Sequence, residues 1–159
     1  MVIFINIFLI GCENEENDPS INGSLINYTD CKTFKSAVIG INNGNSESCI
    51  EYSYDSQNRI LQLKHINAGF NCCPDSLDCK ISLSNDTILI EEFEKNALCN
   101  CNCLYDLNIE IKGVELKKYY ISIVEPYCGD QQKLMFEVDF NFNSSGKYCV
   151  NRNHYPWGF

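Results

Sequence analysis

Positive charge is scarce in this chain of 159 residues: 12 Lys and Arg stand against 21 Asp and Glu, a formal net charge of -9. A nucleic-acid binder needs a basic footprint, and none is present. Histidine is rarer still, at two residues, His65 and His154. No GxSxG, HExxH, P-loop or dinucleotide-type glycine motif occurs, so nothing in the sequence points to catalysis, and no catalytic residue is assigned. The apolar N-terminal run is too short to cross a membrane, which takes roughly 20 residues. No window has the 3.6-residue period of an amphipathic helix.

What the chain has in excess is cysteine: 11 residues in 18.2 kDa. That is too many for a reducing cytosol and points to an oxidising compartment. The first of them, Cys12, follows Met1–Gly11, an almost wholly apolar stretch that ends Leu9-Ile10-Gly11. This looks like a bacterial lipobox. It implies a signal peptide over 1–11, cleavage before Cys12 and a diacylglycerol on the Cys12 sulfur. The expected location is the bacterial cell envelope, as an outer-membrane lipoprotein with a surface-exposed variant open, and the lipid makes the membrane the first partner. The segment has no Lys or Arg ahead of its apolar run, where a signal peptide ordinarily carries one. Glu13, Glu15, Glu16 and Asp18 follow the proposed anchor. They read as a solvated tether, and they also resemble the acidic signals that send Bacteroidota lipoproteins to the cell surface. Residues 12–30 are polar and Asn-rich, which predicts a flexible linker, with the folded domain over 31–159.

Within that domain the apolar residues alternate with polar ones. Strands are expected at Thr33–Gly40, then as a hairpin of Cys49–Asp55 with Ile60–Ile66, and as a second hairpin of Cys79–Leu83 with Ile88–Phe93 around Asn85-Asp86. From Cys99 to Lys112 one face carries Cys99, Cys101, Cys103, Tyr105, Leu107, Ile109 and Ile111, and only Leu104 breaks the pattern. That predicts a single long half-buried strand. Tyr119–Glu125, Leu134–Phe142 and Lys147–Arg152 complete the set. Eight or nine strands in one domain predict an all-β, antiparallel β-sandwich, immunoglobulin-like and disulfide-stapled.

With Cys12 set aside, ten cysteines remain for up to five disulfides: Cys31, Cys49, Cys72, Cys73, Cys79, Cys99, Cys101, Cys103, Cys128 and Cys149. Neighbours at i and i+2 on a strand are about 6.6–6.8 Å apart with parallel side chains, a poor fit to a disulfide. Cys99, Cys101 and Cys103 are therefore expected to take partners from Cys72, Cys73 and Cys79, in an order the sequence leaves open. Cys31–Cys49 and Cys128–Cys149 are the expected remaining pairs. The competing reading is a soft ion such as Cu(I) or Zn(II) on the three thiolates. The spacing lacks the usual CxxC form, so no metal and no other cofactor is assigned.

His65-Ile66-Asn67-Ala68-Gly69-Phe70-Asn71-Cys72-Cys73-Pro74-Asp75, Asn85-Asp86-Thr87-Ile88, Cys99-x-Cys101-x-Cys103-x-Tyr105-Asp106-Leu107 and Tyr119-x-Ile121 resemble a set of small cysteine-rich lipoproteins of Bacteroidota, over roughly residues 60–125. The resemblance implies export, disulfides and a β-rich fold, and carries no reaction. His65 shares a strand face with Leu61 and Leu63, as a structural histidine would. Tyr155 and Trp157 in the C-terminal tail are candidate ligand contacts, suited to a sugar or a partner surface. The expected function is a non-enzymatic binding or structural accessory module of the envelope whose partner is another envelope protein or a glycan. The alternative is a Cys-cluster metal-binding protein or an unrecognised extracytoplasmic enzyme.

Overall fold

The computed structural model describes residues 20–32 and 47–153. Cys12, the signal segment, the expected strand at Thr33–Gly40, and His154, Tyr155 and Trp157 lie outside them.

Period-two alternation becomes strand wherever it can be read. The described residues hold nine strands and no helix: β1 (Asn22–Tyr28), β2 (Glu47–Asp55), β3 (Ile60–Asn71), β4 (Pro74–Ser84), β5 (Thr87–Ala97), β6 (Asn102–Lys112), β7 (Lys118–Val124), β8 (Met135–Asp139) and β9 (Ser145–Asn151). A five-stranded sheet has the order β1-β6-β3-β2-β9, and a four-stranded sheet has the order β4-β5-β7-β8. Their facing sides share one core. Ile50, Leu61, Leu63, Ile109, Ile111 and Val150 from the first sheet meet Ile88, Ile90, Tyr119, Ile121, Phe136 and Val138 from the second. The protein is thus all-β, with two packed sheets. Aromatic rings line one side of this core, where Phe136 stacks on Tyr148 and Tyr54 on Phe140, with centroids 4.9 Å and 4.4 Å apart.

One pairing departs from the antiparallel sandwich expected. β5 and β7 run parallel, from Thr87↔Tyr120 to Glu91↔Val124. After β5 the chain crosses into the facing sheet, runs the length of β6 and returns. That excursion is the long crossover a parallel pair requires.

The most consequential feature is a folded ribbon. β3 and β6 pair antiparallel up to Asn71↔Asn102, and β4 and β5 resume the pairing at Pro74↔Ala97. Residues 60–84 and 87–112 therefore form one hairpin that bends sharply and contributes a half to each sheet. At the bend two residues, Cys72 and Cys73, oppose four, Leu98–Cys101. Strands that change sheets at such bends form the corners of β-sandwiches. Pro74, with no N–H to donate, starts the edge strand β4, where it leaves no ladder bond unmade.

Three expectations are corrected. The flexible linker does not extend to residue 30: Asn22–Tyr28 is β1, paired with β6. Ile21 and Leu25 pack against the core, and between them a Cβ on Gly23 would lie only 2.7 Å from the Glu110 carbonyl oxygen. The Asn-rich composition masks this alternation. The strand expected from Cys99 begins at Asn102, because Cys99 and Cys101 form the bend, and Leu104, the residue out of pattern, is fully buried. The strand expected to reach Phe142 ends at Asp139. Its carboxylate accepts the Asn141 N–H at 3.0 Å, and its carbonyl accepts those of Phe142 and Asn143. This turn leaves Phe142 84% exposed.

Candidate functional site: a stapled corner and a buried charged layer

Asn71, the last residue of β3, organises the bend. Its side-chain oxygen accepts the N–H groups of Cys73 (3.0 Å) and Cys99 (3.2 Å), and its amide donates to the Cys99 carbonyl at 2.6 Å. Its own N–H donates to Glu94 at 2.7 Å, and its carbonyl accepts the Tyr105 hydroxyl at 2.9 Å. A buried amide that satisfies backbone groups on both arms fixes how far apart they lie. Two disulfides then cross the bend, Cys72–Cys101 and Cys73–Cys99, with Cα atoms 5.6 and 5.5 Å apart.

The remaining pairs differ from the expected ones. Cys103 takes Cys31, from outside the expected set of Cys72, Cys73 and Cys79. Lys32 bridges to Leu104, which sets Cys31 beside Cys103. Cys49 takes Cys149, not Cys31, because β2 and β9 are neighbours and place the two opposite each other. Cys79 and Cys128 are left as buried thiols. Burial and the Glu92 charge push the Cys79 thiol up to about 12. Burial, helped by Glu125, also raises that of Cys128. As expected, none of Cys99, Cys101 and Cys103 pairs with another of the three.

A second constellation lies between the sheets. On several strands the inward alternation passes from apolar to polar at one level: Leu61-x-Leu63-x-His65, Ile88-x-Ile90-x-Glu92, Ile121-x-Ile123-x-Glu125 and Val150-x-Arg152. All four polar residues are buried. On β3, His65 separates the main core from a smaller cluster around Ala68, Phe70, Leu77, Cys103, Tyr105 and Leu107. Its Nδ1 lies 2.7 Å from Glu92 Oε1, and its Nε2 lies 2.7 Å from the Ser48 hydroxyl and 3.7 Å from Glu125 Oε1. Arg152 donates from one guanidinium nitrogen to both Glu125 oxygens, 2.7 Å from Oε1, and from another to the Gln132 carbonyl at 2.7 Å.

Two carboxyl groups and a guanidinium surround the imidazole. Burial pulls the His65 pKa down, but the charge and hydrogen bond of Glu92 and the charge of Glu125 outweigh burial and the opposing Arg152, so the net shift is upward. Burial also raises Glu92, against the pull of His65. Both shifts act in one direction: the folded pair holds its proton to higher pH than the free groups would. Glu92 Oε2 has no hydrogen-bond partner among the described residues, a cost of about 1–3 kcal/mol for a buried acceptor.

Ser48, His65 and Glu92 stand in the order of a nucleophile, base and orienting acid. Ser48 and His65 are fully buried, so the hydroxyl does not meet solvent. The arrangement holds strands together and keeps a proton. A groove of about 430 Å³ opens on the outward face of the five-stranded sheet, lined by Ile26, Ser53, Gln62, Lys64, Asn108 and Glu110 among others.

The sequence placed His65 on the right face but missed its partners. The signal was present in the matching apolar-x-apolar-x-charge runs, which put a charge on the buried face of several strands at once. Glu92, Glu125 and Arg152 lie 27 to 60 residues apart in sequence, so only the sheet order brings them together. Comparison with family models, with curated proteins and with solved structures returned no match.

Proposed function

We propose that this protein is an exported lipoprotein of the bacterial cell envelope, attached through Cys12, whose β-sandwich serves as a non-enzymatic binding or structural accessory module. The observation that carries the reading is the oxidation pattern. Eight of the ten cysteines among the described residues are in four disulfides, and the other two are buried. Such cross-linking suits a domain that folds where thiols are oxidised. The resemblance of residues 60–125 to small cysteine-rich lipoproteins of Bacteroidota agrees with it. A groove lined by amide, hydroxyl and charged side chains suits a glycan or a polar surface of another envelope protein, alongside Tyr155 and Trp157 of the tail.

The test uses protein from its own cells, denatured without reduction and alkylated. Two alkylated cysteines, Cys79 and Cys128, are expected in a mature chain that begins at an acylated Cys12, and Cys12→Ser should move the protein out of the membrane fraction. Four or more alkylated thiols with an unacylated Cys12 would overturn the reading. The Ser48–His65–Glu92 geometry favours a second reading, an extracytoplasmic hydrolase. A fluorophosphonate probe should leave the folded protein unlabelled. Stoichiometric labelling of Ser48 would replace the binding module with an enzyme.

A further inference from the structure

Two disulfides meet at one place, with three of their four sulfurs clustered and the fourth bonded to one of the three. The Sγ atoms of Cys31, Cys72 and Cys103 all lie within 4.8 Å of one another, and Cys101 is bonded to Cys72. We propose that, once reduced, Cys31, Cys72, Cys101 and Cys103 form a tetrathiolate site for a thiophilic d10 cation, Zn(II) or Cu(I), which oxidation to Cys31–Cys103 and Cys72–Cys101 closes.

The geometry is near what such an ion requires. Zinc–sulfur bonds of about 2.3 Å in a tetrahedron place sulfurs about 3.8 Å apart, so the three clustered atoms need move by only about an ångström. Backbone contacts independent of the S–S bonds hold the four residues in place. The Cys72 N–H donates to the Cys101 carbonyl at 3.0 Å, the Lys32 N–H beside Cys31 donates to the Leu104 carbonyl at 2.9 Å, and Cys103 lies in the β6 ladder. Reduction thus leaves the sulfurs close together.

The surroundings select the ion. Among the described residues the cluster contains sulfur alone, with no imidazole or carboxylate in it, and sulfur-only donors favour soft cations over Mg(II) or Ca(II). Cys103 is buried beside Phe70 and Tyr105, with Cys31 and Cys72 packed against the same apolar cluster, whereas Cys101 is exposed. The site therefore has a dry floor and one ligand at the surface through which an ion enters. Cys73–Cys99 and Cys49–Cys149 lie outside the cluster.

The chemistry balances. Each disulfide takes two electrons and two protons from an external dithiol, which is itself oxidised to a disulfide, and yields two thiols; an external disulfide runs the same exchange backwards, taking those electrons and protons and closing the site. Binding of the cation then displaces thiol protons to solvent.

The experiment uses the full chain carrying Cys12→Ser, reduced with a dithiol that is then removed anaerobically, and titrated with Zn(II) against a chelating dye or with Cu(I) against a Cu(I) chelator. Co(II) provides a spectroscopic check through the ligand-field bands of a tetrahedral thiolate site. Far-ultraviolet circular dichroism monitors the strands throughout. One ion per reduced chain and none per oxidised chain are expected. Cys31→Ser and Cys103→Ser should each weaken binding by more than the roughly 10–100-fold that loss of an outer-shell partner costs. A Cys73→Ser/Cys99→Ser double variant should bind as the parent does. A reduced chain that keeps its strands and takes no ion overturns the proposal, as does one that unfolds and is not refolded by the ion. Binding that survives Cys31→Ser but fails in the double variant overturns it too. The disulfide count made before reduction tests the envelope reading separately, so the two can fail independently.

Discussion

Cys49 and Cys149 face each other across the β2–β9 pair with Cα atoms 4.0 Å apart. The bond they share spans a sequence separation of 100 residues and ties the edge strand β9 to β2. Loops of that length lose the most freedom on cross-linking in the unfolded chain. The double variant Cys49→Ala/Cys149→Ala should lose about 2–5 kcal/mol of stability, read as a lower midpoint in guanidinium. An unchanged midpoint would show that β9 holds its place without the bond.

Arg152 and Glu125 are both buried and doubly hydrogen-bonded. Removing one charge strands the other in a dry interior. Arg152→Met should therefore cost about 3–5 kcal/mol. The double variant Arg152→Met/Glu125→Leu should recover most of that loss, because an apolar pair needs no solvation. Denaturant unfolding of both variants decides the matter, and equal losses would refute the coupling.

The proton shared by His65 and Glu92 makes stability depend on pH. Both groups are raised in the folded state, His65 from 6.5 and Glu92 from 4.5. Above about pH 4.5 the native chain thus binds more protons than the unfolded one, and stability falls as pH rises. The contribution of the pair is full below the unfolded values and is lost as pH climbs through the raised ones. The melting temperature should be higher near pH 5.5 than near pH 8. Glu92→Gln should flatten that slope, and comparing the two chains cancels surface groups such as Asp55 and Glu137. An identical slope in the variant would place the titration elsewhere.

Asn71 bonds to both arms of the bend through its side chain. Asn71→Ala leaves the Cys73 and Cys99 N–H groups without that acceptor and should cost about 2–6 kcal/mol at roughly 1–3 kcal/mol per stranded group. Oxidative refolding of this variant should also yield more mispaired Cys73 and Cys99, read by disulfide mapping. A native yield equal to the parent's would mean the strands alone set the pairing.

The strands were legible wherever period two ran through apolar residues. The β2–β3 and β4–β5 hairpins, β7 and β9 lie close to where alternation puts them, because the inner face must be apolar and the outer one polar. β1 was not legible, since only Ile21 and Leu25 mark its inner face and Gly23 between them is silent. The disulfide pairing was half legible. That Cys99, Cys101 and Cys103 avoid one another follows from local geometry, and two of their partners, Cys73 and Cys72, were within the expected set. The third, Cys31, follows β1, which flanks β6 on the side away from β3, and spacing carries no trace of which strands will be neighbours. The parallel β5–β7 pair escaped for the same reason. So did the charged layer, whose members meet only after both sheets exist.

The Cys31–Cys103 cross-link also governs how the domain bears mechanical load. A pull on the amino-terminal end can peel β1 away from β6, but at Cys31 the tension passes through sulfur into β6, which stays paired along its length with β3. Stretching from that end is therefore arrested after one strand, and the rest of the molecule resists as a unit. Were the chain anchored at that end, as proposed, β1 would act as a short shock absorber ahead of a rigid block.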